Sequence, residues 1–414
     1  MTNWIGKDVI EIIDKKHCCG CTACASICPK NCIEMLPDEE GFLYPHVDIT
    51  QCINCGLCEN KCPIINSHEL HGNPEAIIVR NKDEDILEDS TSGGAFTAIA
   101  ASLIIEKNAR IYGAAFDDEF HVKHLGIDST VDLRFFRGSK FVQSDVRGIF
   151  SKIKNELING KTVLFSGTPC QIYGLKNYLG DEYVNLYCCD IVCRGVPSPL
   201  LWNEYLKWIK AKYKSNITKV KFRNKTYGYH SSTMLIEFSN GRIYKKSGRI
   251  DPMMRLFTKE MCSRPSCSEC MFKTKQRVSD LTLFDCKRYT KLTGKEDDDK
   301  GYTAILIQSE KGRKLVELAS NNLQIEYTDV DNLIEQCGIM VLGRAQSNPK
   351  RNVLFDKLTK ESLDSITNEL CNIGLKDKVI ENAKAVLYFT GLISFARKLK
   401  KHEDISINEE KIKK

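Results

Sequence analysis

From residue 76 onward, apolar runs alternate with stretches of helical periodicity, which is typical of an α/β core. The pattern predicts strands at 76–79, 110–116, 121–126, 161–166, 183–192 and 303–308, and helices at 95–106, 146–158, 171–179, 200–212 and 312–319. Residues 220–245 instead predict an antiparallel hairpin that turns at 239–242. Its row of Arg223, Lys225, Tyr227, Tyr229 and His230 either faces a substrate or is an ordinary strand face.

The chain of 414 residues is longer than one hydrophobic core usually extends. Residues 67–74 are polar and contain His and Gly, which predicts a linker between a small N-terminal module and a larger domain. The last ninety or so residues carry no chemical motif and predict a helical extension.

Two cysteine runs dominate the N-terminal module. Each has the spacing C-x2-C-x2-C-x3-C-P, and together they comprise Cys18, Cys21, Cys24, Cys28, Cys52, Cys55, Cys58 and Cys62. In bacterial ferredoxins with this spacing, three thiolates hold one 4Fe–4S cluster and the fourth binds the other cluster. The spacing therefore predicts one cluster on Cys18, Cys21, Cys24 and Cys62, and a second on Cys52, Cys55, Cys58 and Cys28. Cys19 and Cys32 lie outside the ligand spacing and are predicted to be small buried side chains.

Zinc sites and disulfides are the other common uses of closely spaced cysteines. Zinc usually takes two pairs that are separated by a longer spacer, not duplicated quartets. A disulfide framework would require an oxidising compartment, and the residues after Met1 include charged side chains and no apolar signal core. We therefore expect a cytoplasmic protein whose 20 cysteines are mainly ligands or free thiols.

Net charge and hydropathy argue against two further classes, nucleic-acid-binding proteins and transmembrane proteins. The formal charge of +6 comes from 60 basic and 54 acidic residues, which is too mixed for nucleic-acid binding. No stretch reaches the roughly 18 apolar residues of a transmembrane helix. Residues 383–396 are apolar and run into a basic segment, which predicts a docked C-terminal helix or, alternatively, a helix at a membrane surface.

A second set of cysteines lies in the predicted α/β core: Cys170, Cys188, Cys189, Cys193, Cys262, Cys267, Cys270 and Cys286. Some of them follow predicted parallel strands, whose carboxyl ends collect ligands in open sheets. Four thiolates from three segments predict a third cluster, with reactive or buried thiols as the alternative.

One-electron clusters also call for a flavin, which converts between one-electron and two-electron chemistry. Ser92, Gly93 and Gly94 precede a predicted helix and offer an anion site for it, although such a sequence is often only a helix cap.

The order of motifs resembles the coenzyme F420 hydrogenase/dehydrogenase beta subunit family, over residues 1–320. The resemblance rests on the ferredoxin pair, Ser92–Gly94, Gly138–Ser144, Gly167–Gln171, Cys193–Ser198, Arg264–Cys270 and Ser279–Thr282. It implies a 4Fe–4S ferredoxin domain at 1–70, the two parts of the family's α/β flavin-binding domain at 71–160 and 161–320, and a helical extension at 321–414.

The resemblance also implies site residues. FAD would be lined by Ser92, Gly93 and Gly94, with Lys140 and Gln143 nearby. The third 4Fe–4S cluster would be held by Cys170, Cys193, Cys267 and Cys270, with Cys262 in reserve. Where relatives often have Gly-Asp-x-Trp-Gly, this chain has Phe284–Arg288 without the tryptophan. The resemblance therefore indicates the cofactors better than the substrate.

These features predict an FAD and iron–sulfur oxidoreductase that exchanges electrons with a ferredoxin-like partner and an organic acceptor or donor. The small molecule would be a deazaflavin or another acceptor, including one from polysaccharide assembly. The alternative is an electron-transfer subunit that docks on a hydrogenase or dehydrogenase and has no substrate chemistry of its own. The sequence assigns no catalytic acid or base.

Overall fold

The computed structural model describes residues 9–67, 70 and 72–393. Its strands are β1 Ile33–Pro37, β2 Leu43–Val47, β3 Glu75–Asn81, β4 Arg110–Phe116, β5 Val122–Ile127, β6 Val163–Gly167, β7 Leu186–Ile191, β8 Ile217–Asn224, β9 Thr233–Phe238, β10 Ile243–Ser247, β11 Leu281–Asp285, β12 Thr303–Ile307 and β13 Leu323–Thr328. Its helices are α1 Ala23–Ile27, α2 Leu57–Asn60, α3 Glu84–Asp89, α4 Ala95–Lys107, α5 Ile149–Ile158, α6 Pro169–Leu179, α7 Pro199–Tyr213, α8 Pro252–Thr258, α9 Tyr289–Thr293, α10 Glu310–Leu318, α11 Val330–Cys337, α12 Ile339–Leu342, α13 Arg351–Leu358, α14 Leu363–Leu370 and α15 Leu375–Phe389.

The N-terminal module, residues 9–67, contains two cysteine loops with the same backbone conformation. Gly20 and Asn54 occupy the same place in the two loops and have φ of 70° and 51°, and Thr22 and Gly56 both have φ of 69°. The duplicated sequence thus folds as a duplicated structure, with α1 and α2 following the corresponding cysteines. The antiparallel pair β1 and β2 lies between the two loops in sequence, and the sequence pattern did not predict it.

An eight-stranded sheet forms the centre of the α/β core, residues 75–328. Its strand order is β13-β3-β12-β11-β7-β6-β4-β5. The four central strands β11, β7, β6 and β4 run parallel, and their neighbours on both sides pair antiparallel. Apolar residues of α4 and α10 cover one face, and those of α5 and α6 cover the other. The buried runs of the parallel strands agree with this two-sided burial.

A second sheet, of order β10-β9-β8, packs against α7. Trp202 and Tyr205 of α7 stack on each other with 5.3 Å between ring centroids, and Trp202 also packs on Phe222 of β8 at 4.8 Å. The predicted hairpin is therefore two strands of a three-stranded sheet. Apolar residues of α13 and α14 belong to the same cluster.

The predicted helices and strands of the core agree with the structure to within a few residues, with two differences in architecture. Strand 303–308 was predicted without a pairing direction, and β12 pairs antiparallel with β3 and with β11, a strand that the sequence pattern did not predict. The segment from residue 321 was expected to be wholly helical, but β13 pairs with β3 along the edge of the main sheet. Within the described residues, no helix is long and apolar enough to cross a membrane. The basic end of the predicted C-terminal helix lies outside the described residues.

Close packing joins the N-terminal module to the core. A Cβ atom at Gly174, in the middle of α6, would lie 2.6 Å from Cys21 Cβ and 2.9 Å from Cys21 Sγ. Asn177, one turn later in α6, donates a hydrogen bond to the Asn66 carbonyl at 2.9 Å. The glycine therefore lets the helix touch the first cysteine loop, and no larger residue fits.

This contact predicts the effect of Gly174→Ala. Alanine normally stabilises a helix by about 0.5–1 kcal/mol relative to glycine. Here the added methyl group overlaps Cys21, and overpacking of this kind costs about 1–3 kcal/mol. We expect the holoprotein to unfold at lower denaturant concentration and to lose iron more readily. Gly248→Ala is the control, because its Cβ would meet Met254 Cβ at 3.5 Å, an ordinary contact. A more stable Gly174→Ala protein would contradict the packing.

Candidate functional site

The first predicted ligand set comes together across the two cysteine loops. Burial, followed by the neighbouring thiols Cys18 and Cys62, raises the pKa of Cys24 above its ordinary value. Burial likewise raises the pKa of Cys62, with Cys18 and Cys58 adding to it. Cys62, from the second run, thus has Cys18 and Cys24 among its neighbours, together with Cys58 of its own run, and the crossed assignment stays a prediction.

The second predicted set lines a small cavity at the other end of the module. Cys28, Cys52, Cys55 and Cys58 all face it, and so does Cys32. The amide N–H groups of Ile10 and Asn54 donate to Cys58 Sγ and Cys52 Sγ, both at 3.4 Å. Cys32 is buried as expected, but its Sγ lies only 3.3 Å from Cys28 Sγ. The spacing argument assigned Cys32 no place near a ligand.

The third predicted set also converges. Cys170, Cys193, Cys267 and Cys270 line one cavity of about 210 Å³, the cysteine cavity, between the core and the N-terminal module. Cys170 lies in the first turn of α6 and Cys193 follows β7, so both come from the carboxyl ends of neighbouring parallel strands. Cys267 lies in the short 3-10 helix Pro265–Glu269 and Cys270 follows it.

Cys262, the reserve candidate for the third cluster, and the remaining core cysteines lie outside the cysteine cavity. Cys262 is fully buried among apolar residues of α7 and α8 and does not line the cysteine cavity. Cys188 and Cys189 face opposite sides of β7 within the apolar layers. Cys286 is buried beside Cys337 in a separate apolar cluster.

The four thiols of the cysteine cavity resist ionisation as long as they bind no metal. Burial raises the pKa of Cys193 to about 12 and also raises the pKa of Cys267 and Cys270, with further contributions from neighbouring thiols. Lys273, Arg264 and Arg277 line the same cavity. Four buried thiolates are tolerable only beside positive charge. The donor set therefore fits an iron–sulfur cluster, with three cations to offset the remaining negative charge.

Cys19 connects the cysteine cavity to the first ligand set. It is buried, it lines the cavity, and its thiol lies close enough to those of Cys170 and Cys21 for both to affect its pKa. The sequence-based expectation of a small buried side chain captures its burial but not this position between two ligand sets. The ligand spacing carries no signal for this role, because the contact is with a residue about 150 positions away.

Arg264 bonds both the N-terminal module and the core where they meet. Only 1% of its surface is exposed. Its guanidinium donates to the Cys18 carbonyl at 2.7 Å, the Leu43 carbonyl at 2.9 Å and Gln143 Oε1 at 3.0 Å, and it lies 3.4 Å from Cys18 Sγ. It also lies 4.2 Å above the ring of Tyr44. Sequence analysis included Arg264 in a motif without assigning it a role.

The predicted flavin residues divide between two places. Gln143 donates to the Cys19 carbonyl at 3.1 Å and accepts from Arg264, so it belongs to the contact between module and core. Lys140 instead lies in a loop that is fastened to residues 90–94, the Ser92 loop, because Ser139 N–H donates to Thr91 Oγ1 at 2.9 Å. Burial lowers the pKa of Lys140 to about 8, while Asp89 opposes the shift.

The glycines of the Ser92 loop allow the backbone to pack closely, and they do not open a space for a ligand. A Cβ at Gly93 would lie 2.6 Å from both Thr303 N and the Val79 carbonyl oxygen, and its N–H donates to Thr303 Oγ1 at 3.0 Å. Gly94 caps α4 with φ of 72°. The expectation that Gly93 leaves room for a phosphate is therefore not supported by its contacts, since a sheet backbone fills that room.

The polar row of the β8 to β9 region faces the core beside the Ser92 loop. Lys225 Nζ donates to the Ser92 carbonyl at 2.9 Å, and burial lowers its pKa to about 8. Arg223 pairs with Asp285 at 2.5 Å. The buried Tyr229 hydroxyl and Arg223 Nη2 have no hydrogen-bond partner among the described residues. His230 pairs with Asp297 at 2.9 Å. Arg223, Lys225 and Tyr229 therefore point into the protein and are not a solvated strand face, and contact of the row with a substrate stays a prediction.

Residues 17–64 match the family model described as 4Fe-4S dicluster domain, which covers both N-terminal ligand sets. The chain is accordingly an iron–sulfur electron-transfer protein. Residues 160–332, which contain the cysteine cavity's four thiols, match the model for the C terminus of the coenzyme F420 hydrogenase/dehydrogenase beta subunit. The predicted resemblance is confirmed over these two segments: residues 160–332 match the C-terminal domain of the coenzyme F420 hydrogenase/dehydrogenase beta subunit family, and a 4Fe–4S dicluster domain precedes them.

Individual relatives are distant. An uncharacterized protein of Methanocaldococcus jannaschii is 23% identical over 377 residues, which cover 78% of this chain and 94% of the relative. The coenzyme F420-dependent sulfite reductase of that organism is 23% identical over 338 residues, and this chain spans about half of its length, 49%. A chain of the F420-reducing NiFe hydrogenase complex from Methanosarcina barkeri is 14% identical, with 73% of this chain and 94% of that chain covered and a TM-score of 0.41.

Arg264→Gln should lower the midpoint potential of the cluster bound to Cys18. A positive charge and an N–H donor at a ligand sulfur stabilise the reduced, more negative cluster, and glutamine removes the charge. The measurement is a redox titration followed by electron paramagnetic resonance. Arg194→Gln is the matched control, because Arg194 also borders the cavity but is exposed and pairs with Glu260. Equal potentials in the Arg264→Gln and wild-type proteins would rule out this electrostatic role.

Proposed function

We propose that this protein passes electrons between its two N-terminal 4Fe–4S clusters and an FAD in the α/β core, through a third 4Fe–4S cluster. The ligands of the third cluster are Cys170, Cys193, Cys267 and Cys270. The observation that carries the proposal is their convergence on one cavity that Cys19 connects to the first ligand set. The order of centres is then second cluster, first cluster, third cluster and flavin.

The residues around the Ser92 loop support a flavin there. Lys140 and Lys225 supply buried amines, and the N-terminus of the thirteen-residue α4 favours anions. Tyr229 is 2% exposed and its hydroxyl has no partner in the part of the chain that the structure describes, which suits a polar ligand beside the Ser92 loop. A bound flavin would supply conversion between one-electron and two-electron chemistry. The chain's own part is to orient it and to present the amine of Lys140, which a pKa of about 8 leaves mostly protonated at pH 7, as a hydrogen-bond donor.

Coenzyme F420 is the small-molecule partner that we propose, as hydride acceptor or donor. The family description and the name of the related sulfite reductase both contain this deazaflavin. An acceptor from polysaccharide assembly has no support from the described residues or from the relatives named above. In this proposal the substrate binds beside Arg223, Asp285 and Tyr229.

The second candidate function is that of an electron-transfer subunit without substrate chemistry of its own. It is favoured by the family description as a beta subunit and by the match to only half of the sulfite reductase. In that case the redox partner is another subunit that carries the substrate site, such as a dehydrogenase or a hydrogenase.

Iron content tests the third cluster. Anaerobic, fully reconstituted wild-type protein should contain about 12 iron atoms per chain, and Cys267→Ser about 8, because one cube of four loses a ligand. Cys262→Ser is the matched control and should keep about 12, since this buried cysteine does not line the cavity. Wild-type protein with only about 8 iron atoms would leave no third cluster.

FAD uptake and F420 turnover test the remaining steps. Equilibrium dialysis should show one FAD per chain, and Lys140→Met should weaken its binding by about tenfold or more, as loss of a hydrogen bond to a charged group implies. Lys161→Met is the control, because its amine bonds Asn108 at the opposite end of α4. The reduced holoprotein should bleach coenzyme F420. No FAD uptake by wild-type protein contradicts the flavin. FAD uptake without any F420 turnover contradicts the substrate and favours the electron-transfer subunit.

A further inference from the structure

Two cysteines outside the proposed electron path form a close pair. Cys286 directly follows β11, and its N–H donates to the Tyr302 carbonyl at 3.0 Å. Cys337 is the last residue of α11. Their sulfur atoms lie 4.0 Å apart although 51 residues separate them in sequence. Cys337 also lies beyond residue 332, where the family match ends.

The surroundings give the two thiols different roles. Cys286 is fully buried against Tyr289, Tyr302 and Ile334, whereas Cys337 is partly exposed. The hydrogen bond between the two thiols lowers the pKa of Cys337, and although burial opposes this, the backbone N–H groups of Arg288 and Lys287 act in the same direction as the thiol contact. The same contact and burial raise the pKa of Cys286. Cys337 is therefore the nucleophile that a reagent from solution can reach, and Cys286 is the thiol behind it.

We propose that Cys286 and Cys337 form a reactive dithiol that undergoes thiol–disulfide exchange with low-molecular-weight disulfides and closes to an internal disulfide. The distance supports this chemistry, since a disulfide bond of about 2.05 Å requires the two sulfurs to approach by about 2 Å, which side-chain rotation can supply. The pair needs no residue of the cluster sites.

The exchange proceeds in two balanced steps. The Cys337 thiolate attacks one sulfur of the external disulfide, whose S–S bond breaks; one thiolate leaves and takes up the proton that Cys337 released. Cys286 then loses its proton and attacks Cys337 Sγ, and the second external thiolate leaves with that proton. Two protein thiols are oxidised to one disulfide, and the external disulfide is reduced to two thiols. The reverse reaction needs only an external dithiol or two thiols.

The pair lies next to the proposed substrate region. Asp285, the residue before Cys286, pairs with Arg223. Both cysteines also add to the rise in the pKa of Tyr229, which burial dominates, so all three side chains are neighbours. A Cβ at Gly301 would touch both the Tyr229 ring, at 2.8 Å, and the Ser92 carbonyl oxygen, at 3.3 Å. A two-electron thiol couple therefore lies close to the Ser92 loop, in an apolar cluster separate from the one that packs against Cys170 and Cys270.

Peptide mapping tests the proposal directly. Anaerobic holoprotein is exposed to oxidised glutathione, quenched with acid, alkylated and digested with trypsin. Cleavage after Arg277, Lys287, Lys314 and Arg344 gives residues 278–287 and 315–344, each with a single cysteine, Cys286 or Cys337. We expect these two peptides to be joined by a disulfide, with the iron content of the protein unchanged.

Single variants distinguish the two roles. Cys286→Ser should trap glutathione on residues 315–344, because the resolving thiol is absent. Cys337→Ser should leave residues 278–287 alkylated and free of glutathione, because Cys286 is buried. Neither variant can give the joined product, because each lacks one of its two sulfur atoms. Cys371→Ser removes another buried cysteine and should join the peptides as wild type does.

Three results would overturn the proposal. The first is recovery of both peptides separate and alkylated from treated wild-type holoprotein. The second is a Cys286→Ser protein that traps no glutathione at Cys337. The third is loss of the joined product in Cys371→Ser as well, which would show a general effect of cysteine removal and not a specific pair.

Discussion

The buried guanidinium of Arg264 is the interaction on which the arrangement of the cysteine sites depends. Its hydrogen bonds reach two backbone carbonyls of the N-terminal module, a side-chain amide and a thiol, and among the described residues none of them goes to a carboxylate. A buried charge without an anionic partner is costly. Thiols of two predicted ligand sets lie around it, and a negatively charged cluster on either set would offset its charge. The module and the core are thus joined by a contact that suits the cofactor-loaded protein.

Burial explains both the chemistry and the position of the cysteine cavity. Thiols that line it have raised pKa values, and the at least partly buried cations Arg264, Lys273 and Arg277 line it too, so its donors fit the proposed third cluster better than they fit free thiolates. The parallel strands β6 and β7 end at this cavity, which brings together Cys170 and Cys193. The close approach of α6 at Gly174 then places the first cysteine loop directly against it.

The Ser92 loop shows how one motif admits two physical explanations. Glycine before a helix suits an anion site, and it equally suits a backbone that passes close to a sheet. The contacts of Gly93 with Val79 and Thr303 favour the second explanation for that residue. Support for a ligand comes instead from the amines of Lys140 and Lys225 and from the Tyr229 hydroxyl, which has no partner among the described residues. Lys225 bonds the Ser92 carbonyl, and Lys140 follows Ser139, whose N–H donates to Thr91.

The sequence by itself determined the iron–sulfur class and most of the core elements. Ligand spacing within a loop and the period of apolar residues are local properties, so Cys18 to Cys62 and the helices and strands of the core follow from them. The order of motifs that carries the family resemblance also grouped the four cysteines of the third set. Only the tertiary structure decided the antiparallel β12 and the edge strand β13, because pairing direction depends on neighbours far along the chain. The same reason applies to Arg264, to Cys19 against Cys170, to Gln143 at the module contact and to Cys286 beside Cys337. Each is defined by a contact across a long sequence separation, which no local pattern records.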